Sequence, residues 1–142
     1  MKPYVCVIDD DPSVQRATRR LLHSAGYRVL TYSSAEDFLR LRELPRPTCL
    51  IVDVRMPGMT GLDLQAAICG TIHEVPLVMI SGHADAATVA RATAAGAVAF
   101  LSKPFEDSAL LEALQRAIDE DRRRLSARPA HVRANTPERL LG

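Results

Sequence analysis

The chain has 142 residues, 47% of them hydrophobic and 25% charged, with a formal net charge of +1. That is near ordinary globular composition and long enough to bury a core without staples, so one compact domain is expected. Tryptophan is absent and aromatics make up only 4%, which gives no support to a stacking surface for bases or sugars.

The charge is unevenly spread. Residues 1–115 carry 11 Lys+Arg and 13 Asp+Glu, whereas residues 116–142 carry 7 Arg and 4 Asp+Glu. A few arginines near a chain end read as solvated surface before they read as a nucleic-acid contact. Cys6, Cys49 and Cys69 form no close pair, so a disulfide framework is not expected and a reducing compartment is. The start shows no signal-peptide pattern, and no apolar run approaches the roughly 18 residues of a membrane span. The expectation is a cytoplasmic protein without a membrane contact.

In chain order, short β-branched runs alternate with stretches of helical spacing. The first strand is expected at Tyr4–Ile8. A helix follows, with Asp11 as its cap, Pro12 in the first position, Val14, Ala17, Leu21 and Ala25 on one face, and Gly26 closing it. The second strand falls at Arg28–Tyr32. Ser34 caps the next helix, which runs to about Glu43 with Phe38, Leu39 and Leu41 as its apolar contacts, and Pro45 and Pro47 stop it. The third strand spans Thr48–Val52, and its helix covers about Gly61 to Cys69. The fourth strand spans Pro76–Ile80, and its helix runs from about Asp85 to Ala95, ending at Gly96. The fifth strand is Val98–Leu101. The last helix opens near Glu106 and continues to about Arg124, with Leu110, Leu114, Ala117 and Ile118 facing inward. Residues 125–142 carry two prolines, several arginines and few large apolar groups, the composition of a flexible tail.

Five β-α units predict an α/β fold, a doubly wound parallel sheet with helices on both faces. Sites in such sheets lie beyond the carboxyl ends of the strands, near the topological switch point. The residues there are Asp9, Asp10 and Asp11 after strand one, Asp53 after strand three, Ser81 after strand four, and Ser102 and Lys103 after strand five. Crowded carboxylates either raise one another's pKa or recruit a cation. Asp9, Asp10 and Asp53 offer only hard oxygen ligands, which suits Mg2+ and an accompanying phosphate; the Arg55 carbonyl is a further candidate ligand. A strand-end carboxylate can attack phosphorus to give an acyl phosphate. Ser81 offers a hydroxyl to a phosphoryl oxygen, Gly82 leaves the backbone room, and Lys103 supplies a mobile positive charge. Taken singly, Asp9–Asp11 read as a cap with solvated charges, Ser81 as a turn residue and Lys103-Pro104 as an ordinary loop.

Together these residues resemble the receiver domain of two-component response regulators, from residue 4 to about 121. Asp53 with Met56-Pro57-Gly58 after it, Ser81-Gly82-His83 and Lys103-Pro104-Phe105-Glu106 are similar to the FixJ-type subgroup. The resemblance implies a flavodoxin-like sheet of order 2-1-3-4-5 with five helices and a receiver domain over residues 1–124. It implies that Asp53 accepts a phosphoryl group from a histidine kinase. Asp10 is then a direct Mg2+ ligand, Asp9 acts through water, and Asp53 and the Arg55 carbonyl complete the set. Ser81 and Lys103 meet the phosphoryl oxygens, and a cis bond before Pro104 holds the lysine. Ser81 and the strand-five aromatic Phe100 form the switch, with the face of helix four, strand five and helix five as its output. Such a chain is a phosphoacceptor signalling domain rather than an enzyme acting on a separate substrate.

Other classes fit less well. A haloacid-dehalogenase-type phosphatase needs an Asp-x-Asp pair, and Arg55 stands where the second acid belongs. A phosphorylation-independent module of the same fold would lack an acid or the lysine. No glycine-rich phosphate loop follows a strand. FixJ-type regulators continue into a helix-turn-helix domain, and residues 126–142 cannot hold one. They are expected to be a basic tail or the remnant of a linker to an output domain, so DNA enters only with such a domain. A homodimer through the helix four–strand five–helix five face is the remaining partner expectation.

Overall fold

The computed structural model describes residues 4–41, 46–71 and 74–127. The strands are β1 (Tyr4–Ile8), β2 (Arg28–Tyr32), β3 (Cys49–Asp53), β4 (Leu77–Ser81) and β5 (Ala99–Ser102). The helices are α1 (Pro12–Ser24), α2 (Ala35–Leu41), α3 (Gly61–Ile68), α4 (Ala86–Ala94) and α5 (Asp107–Ala127). All neighbouring strands pair in parallel, in the order β2-β1-β3-β4-β5. The expected doubly wound sheet is therefore the observed one.

Side chains alternate across the sheet and fill a core on each face. Cys6, Ile8, Leu50, Val52 and Met79 meet Phe38 of α2, Leu64 and Ile68 of α3, and Ala92 of α4. Val5, Val7, Ile51, Val78 and Ile80 meet Leu22 of α1 and Leu110, Leu114, Ala117 and Ile118 of α5. β3 and β4 are buried along their whole length, which explains why their sequence shows no polar alternation. Cys6 and Cys49 are buried thiols, and Cys69 is exposed.

Three strands sit one residue further along than their sequence pattern predicts. The ladder continues through Val54 N–H to Ile80 O at 2.9 Å and Lys103 N–H to Ser81 O at 2.8 Å. Asp53 pairs with Ile80, and Ser81 with Ser102. Polar residues thus join the strands because their backbone groups find partners on the neighbouring strand. Asp53 and Ser81 become the last strand residues instead of the first loop residues, so their Cα positions are held by the sheet.

α1 differs from expectation in its face. Its buried positions are Thr18 and Leu22, while Ala17 and Ala25 are exposed and Val14 and Leu21 half-buried. Val14 and Leu21 of the expected face do pack against the core beside Leu22, while Gln15 donates its amide to Asp9 O at 2.5 Å and to Ser33 Oγ at 3.2 Å. The caps are as expected: Asp11 accepts from Ser13 N–H, Ser34 from Asp37 N–H and Asp85 from Thr88 N–H. The last helix runs to Ala127, three residues past the expected end, so residues 125–127 are helical. The rest of the expected tail, residues 128–142, and residues 42–45 at the expected end of the second helix lie outside the described residues.

Candidate functional site

The order of strands brings Asp9 after β1, Asp53 at the end of β3 and Lys103 after β5 to one carboxyl edge. There β1 and β3 are neighbours, and Lys103 reaches across from the far side of β4. β1 lies between β2 and β3, and the crossover there opens the edge that the chain itself does not cover. Asp9 N–H bonds Tyr32 O at 3.1 Å, so the last ladder bond of β1 fixes the base of its carboxylate. Asp9 Oδ1 then accepts from Asp11 N–H at 2.9 Å. Asp53 Oδ1 accepts from Arg55 N–H at 3.0 Å. Lys103 Nζ reaches both remaining oxygens, Asp9 Oδ2 at 3.0 Å and Asp53 Oδ2 at 3.1 Å. The Lys103–Pro104 peptide bond is cis, as the resemblance implies.

Asp10 completes an acidic group with Asp9 and Asp53, in which one carboxylate oxygen from each lies within 4.8 Å of the others. Asp9 is fully buried, Asp53 is buried and Asp10 is exposed. Three carboxylates face one ammonium, which leaves excess negative charge at an all-oxygen site. Those donors fit a hard divalent cation that keeps part of its water shell on the exposed side. Residues that repel one another unless a cation is present are an argument for the cation, and Asp10's exposure leaves it free to turn toward one.

Electrostatics follow burial. Removal from water pushes the Asp9 carboxyl above the ordinary aspartate range, and the Asp53 charge adds to this, against the opposing pull of the Asp11 amide and Lys103. Burial also works against the Lys103 charge, but its bonds to Asp9 and Asp53 outweigh that and hold its pKa above the usual lysine value. Protons therefore compete for Asp9 at a higher pH than at an ordinary aspartate, about 3.9. Mg2+ affinity should fall on acidification, starting above that value, because the cation needs the ionised carboxylate. Amide shifts followed through Mg2+ titrations from about pH 7 to about pH 3.5 check this; a loss of affinity with its midpoint at or below about pH 3.9 counts against the burial effect.

The other expected residues are placed as follows. Ser81 is fully buried, and its Oγ accepts from His83 N–H at 3.1 Å. Asp85, not Ser81, caps α4, so the serine is not consumed by that helix. A Cβ on Gly82 would meet no atom within 4 Å; the space beside Ser81 is open. Phe100 pairs in register with Met79 and packs, half-buried, against the core under α3 and α4. Arg55 is exposed, and its amide is spent on Asp53. Gly61 has a role that its place at the start of α3 did not reveal: a Cβ there would stand 2.7 Å from the Asp53 carbonyl oxygen. Only a residue without one lets α3 start this close to the acidic site. Thr60 and Asp63 lock that start as a capping box.

Two supporting residues gave no signal in the sequence. Gln15 ties the end of β1 to the loop after β2, and Glu36 accepts from Met59 N–H at 3.0 Å in the loop after β3. Each is an ordinary polar residue on a helix, and only the neighbour it touches gives it a task. Beside Lys103 opens a groove of about 430 Å3 whose walls include Val14, Leu21, Pro104, Phe105 and Leu110. Val14 and Leu21 come from α1 and Leu110 from α5, so the groove lies between the two helices that cover this face of the sheet.

A parallel sheet of order 2-1-3-4-5 with an acidic cluster and a lysine at its open carboxyl edge defines a class, the receiver-type doubly wound domain. The chain belongs to the response regulator receiver domain family, whose model matches residues 5–115. It is 40% identical to nodulation protein W of Bradyrhizobium diazoefficiens over 126 residues, 89% of this chain and 56% of that protein. It is 36% identical to the transcriptional regulatory protein FixJ of Rhizobium meliloti over 113 residues, 80% of this chain and 55% of that protein. Among solved structures, the response regulator StyR superposes with a TM-score of 0.81 at 42% identity, covering 89% of this chain and 64% of that one. FixJ-N superposes with a TM-score of 0.76 at 34% identity, covering 84% and 95%. The FixJ-type likeness read from the sequence is thus found among its relatives. The chain spans about half the length of the curated relatives it matches. Among the described residues, no helix is long and apolar enough to cross a membrane.

Proposed function

We propose that this chain is a cytoplasmic two-component phosphoacceptor: Asp53 takes a phosphoryl group from a histidine kinase and the domain passes the change to a partner or output domain. The observation that carries this reading is the convergence of Lys103 Nζ on Asp9 and Asp53, within 3.1 Å of both, beside Asp10.

An Asp53 carboxylate oxygen forms the new O–P bond. The N–P bond of the donor phosphohistidine breaks, and its electron pair stays on the imidazole nitrogen. Asp9, Asp10, Asp53 and the Arg55 carbonyl are the residues that would hold Mg2+. Bound there, Mg2+ supplies positive charge that lowers the repulsion between the carboxylate and the incoming phosphoryl oxygens. Lys103, already on Asp53, follows the new charge onto the phosphoryl oxygens. The apolar groove beside Lys103 gives a donor protein surface to rest on while its histidine meets Asp53.

The switch rests on the residues that must move. Phosphorylation adds about two negative charges at the end of β3. Ser81 Oγ accepts from His83 N–H and keeps its own O–H to donate to that charge, so moving the hydroxyl toward it draws on the segment leading into α4. Phe100 then turns inward, and the surface built by α4, β5 and α5 changes. The two arrangements pre-exist, and the phosphoryl group biases their populations. This surface is the proposed homodimer contact; DNA is reached only through a further domain. Gel filtration with beryllofluoride and Mg2+, which mimic the phosphorylated state, should show a shift from monomer toward dimer. One unchanged monomer in both conditions removes the dimer.

The direct test of the function is incubation with acetyl phosphate and Mg2+ followed by intact-protein mass measurement. One added phosphoryl group is expected, and a chain that never gains mass is not a phosphoacceptor.

A further inference from the structure

The loop between β3 and α3 must present the Arg55 carbonyl, and its two ends are tied down by the chain itself. Arg55 N–H bonds Asp53 Oδ1 at 3.0 Å, and Gly61 N–H bonds Val54 O at 3.0 Å. Met56 sinks its side chain into the core, but Pro57 and Gly58 lie exposed. That outer half is held from a different element. Glu36, in the first turn of α2, accepts from Met59 N–H at 3.0 Å. Gly58 sits at φ +76°, and a Cβ there would stand 2.4 Å from Glu36 Oε2. The carboxylate therefore lies directly against the loop backbone, and the glycine is what admits it. Two observations, one hydrogen bond and one steric fit, put Glu36 under the same turn. Its carboxyl is held below the usual glutamate range, chiefly by the Met59 amide, so it accepts in the ionised form at neutral pH.

Resting on the receiver reading above, we propose that Glu36 is a positioning residue for the divalent-cation site: by clamping Gly58-Met59 it sets the orientation of the loop that carries the Arg55 carbonyl. Glu36 touches neither the cation nor the phosphoryl group. It acts as outer-shell partners of metal sites do, by limiting the positions a ligand can take.

The test uses Glu36→Ala, Glu36→Gln and Gly58→Ala in the full chain. In the metal-free protein, hydrogen exchange of the Met59 amide should speed up in Glu36→Ala and stay protected in Glu36→Gln, which keeps the acceptor. Mg2+ titrations followed by amide shifts should show affinity weakened about three- to tenfold in Glu36→Ala, less than the roughly 10–100-fold typical of outer-shell partners because the clamp is solvent-exposed. Glu36→Gln should recover most of that loss. Gly58→Ala should weaken binding too, through the clash with Glu36 and through the strain of a Cβ at φ +76°, and the two losses should add only in part, since removing the carboxylate removes the clash but not the strain. Acetyl phosphate labelling should slow at limiting Mg2+ and recover at saturation, a binding effect rather than a chemical one. Faster Met59 exchange with unchanged Mg2+ affinity in Glu36→Ala overturns the inference and leaves the receiver reading standing. An unsubstituted chain that binds no Mg2+ overturns both.

Discussion

Asp53→Asn should gain no phosphoryl group from acetyl phosphate and Mg2+, and it should fold at least as well as the unsubstituted chain. The loss is complete because the amide has no anionic oxygen with which to attack phosphorus. The fold survives because Asn keeps the shape and the Oδ1 acceptor for Arg55 N–H. Lys103, which loses the Oδ2 acceptor to an amide NH2, keeps its bond to Asp9. Its stability in the absence of metal should lie within about 1 kcal/mol of the parent, on the stabilising side. That sign follows from charge: Asp9, Asp10 and Asp53 repel one another, and one lysine offsets only part of this. Mg2+ should also stabilise the variant less, since one of its carboxylate ligands is gone. Thermal unfolding with and without Mg2+, together with intact mass, reads all three effects. A phosphoryl mass retained by Asp53→Asn would move the acceptor elsewhere.

Lys103→Met should act in the opposite direction on stability. Lys103 is the cation bonded to Asp9, which is fully buried. Methionine keeps much of the side-chain length and removes the charge, which leaves Asp9 and Asp53 facing each other unrelieved. Removing one partner of a buried pair costs about 3–5 kcal/mol. Here the expected loss is about 1–3 kcal/mol, because Lys103 remains partly exposed and Asp9 can take up a proton instead. Mg2+ should restore most of the loss, since it replaces the missing positive charge at the same oxygens. The Mg2+-induced rise in unfolding temperature should therefore be larger in Lys103→Met than in the parent. Labelling by acetyl phosphate should be slowed in the variant even at saturating Mg2+, because the phosphoryl oxygens lose a partner. In the parent, Lys103 has a raised pKa, so its stabilising contribution is whole below about pH 10 and is lost as pH rises through the folded value. A metal-free variant as stable as the parent would mean that Lys103 has no stabilising role at the site.

Both experiments depend on residues 50 and 94 positions apart in the chain, the separations of Asp53 and Asp9 from Lys103. Nothing local connects them. The residue types announced themselves because each follows an apolar run, and the parallel fold sends every such position to one edge. The strands and the inward face of α5 were equally readable, since burial on both sides of a sheet leaves continuous apolar runs and a long helix leaves a clear stripe. The face of α1 was readable only in part, since Val14 and Leu21 pack against the core and Ala17 and Ala25 do not. Val14, Ala17, Leu21 and Ala25 have the right spacing, but the fully buried positions are Thr18 and Leu22, and Gln15 spends its amide on strand-end carbonyls. Strand ends were misplaced by one residue for a similar reason: the hydrogen bonds that extend β3 to Asp53 and β4 to Ser81 belong to neighbouring strands.

What the sequence by itself determined is the repeating β-α order, the doubly wound sheet, and the identity of the acids, serine and lysine beyond the strand ends. Periodicity and residue chemistry carry that much, because each is a property of short stretches. Tertiary structure alone decided which oxygens share Lys103, that Gly61 must be bare to pass the Asp53 carbonyl, and that Glu36 lies under Gly58. These are distances between segments remote in the chain, and a contact of that kind has no trace in the composition or spacing of either partner.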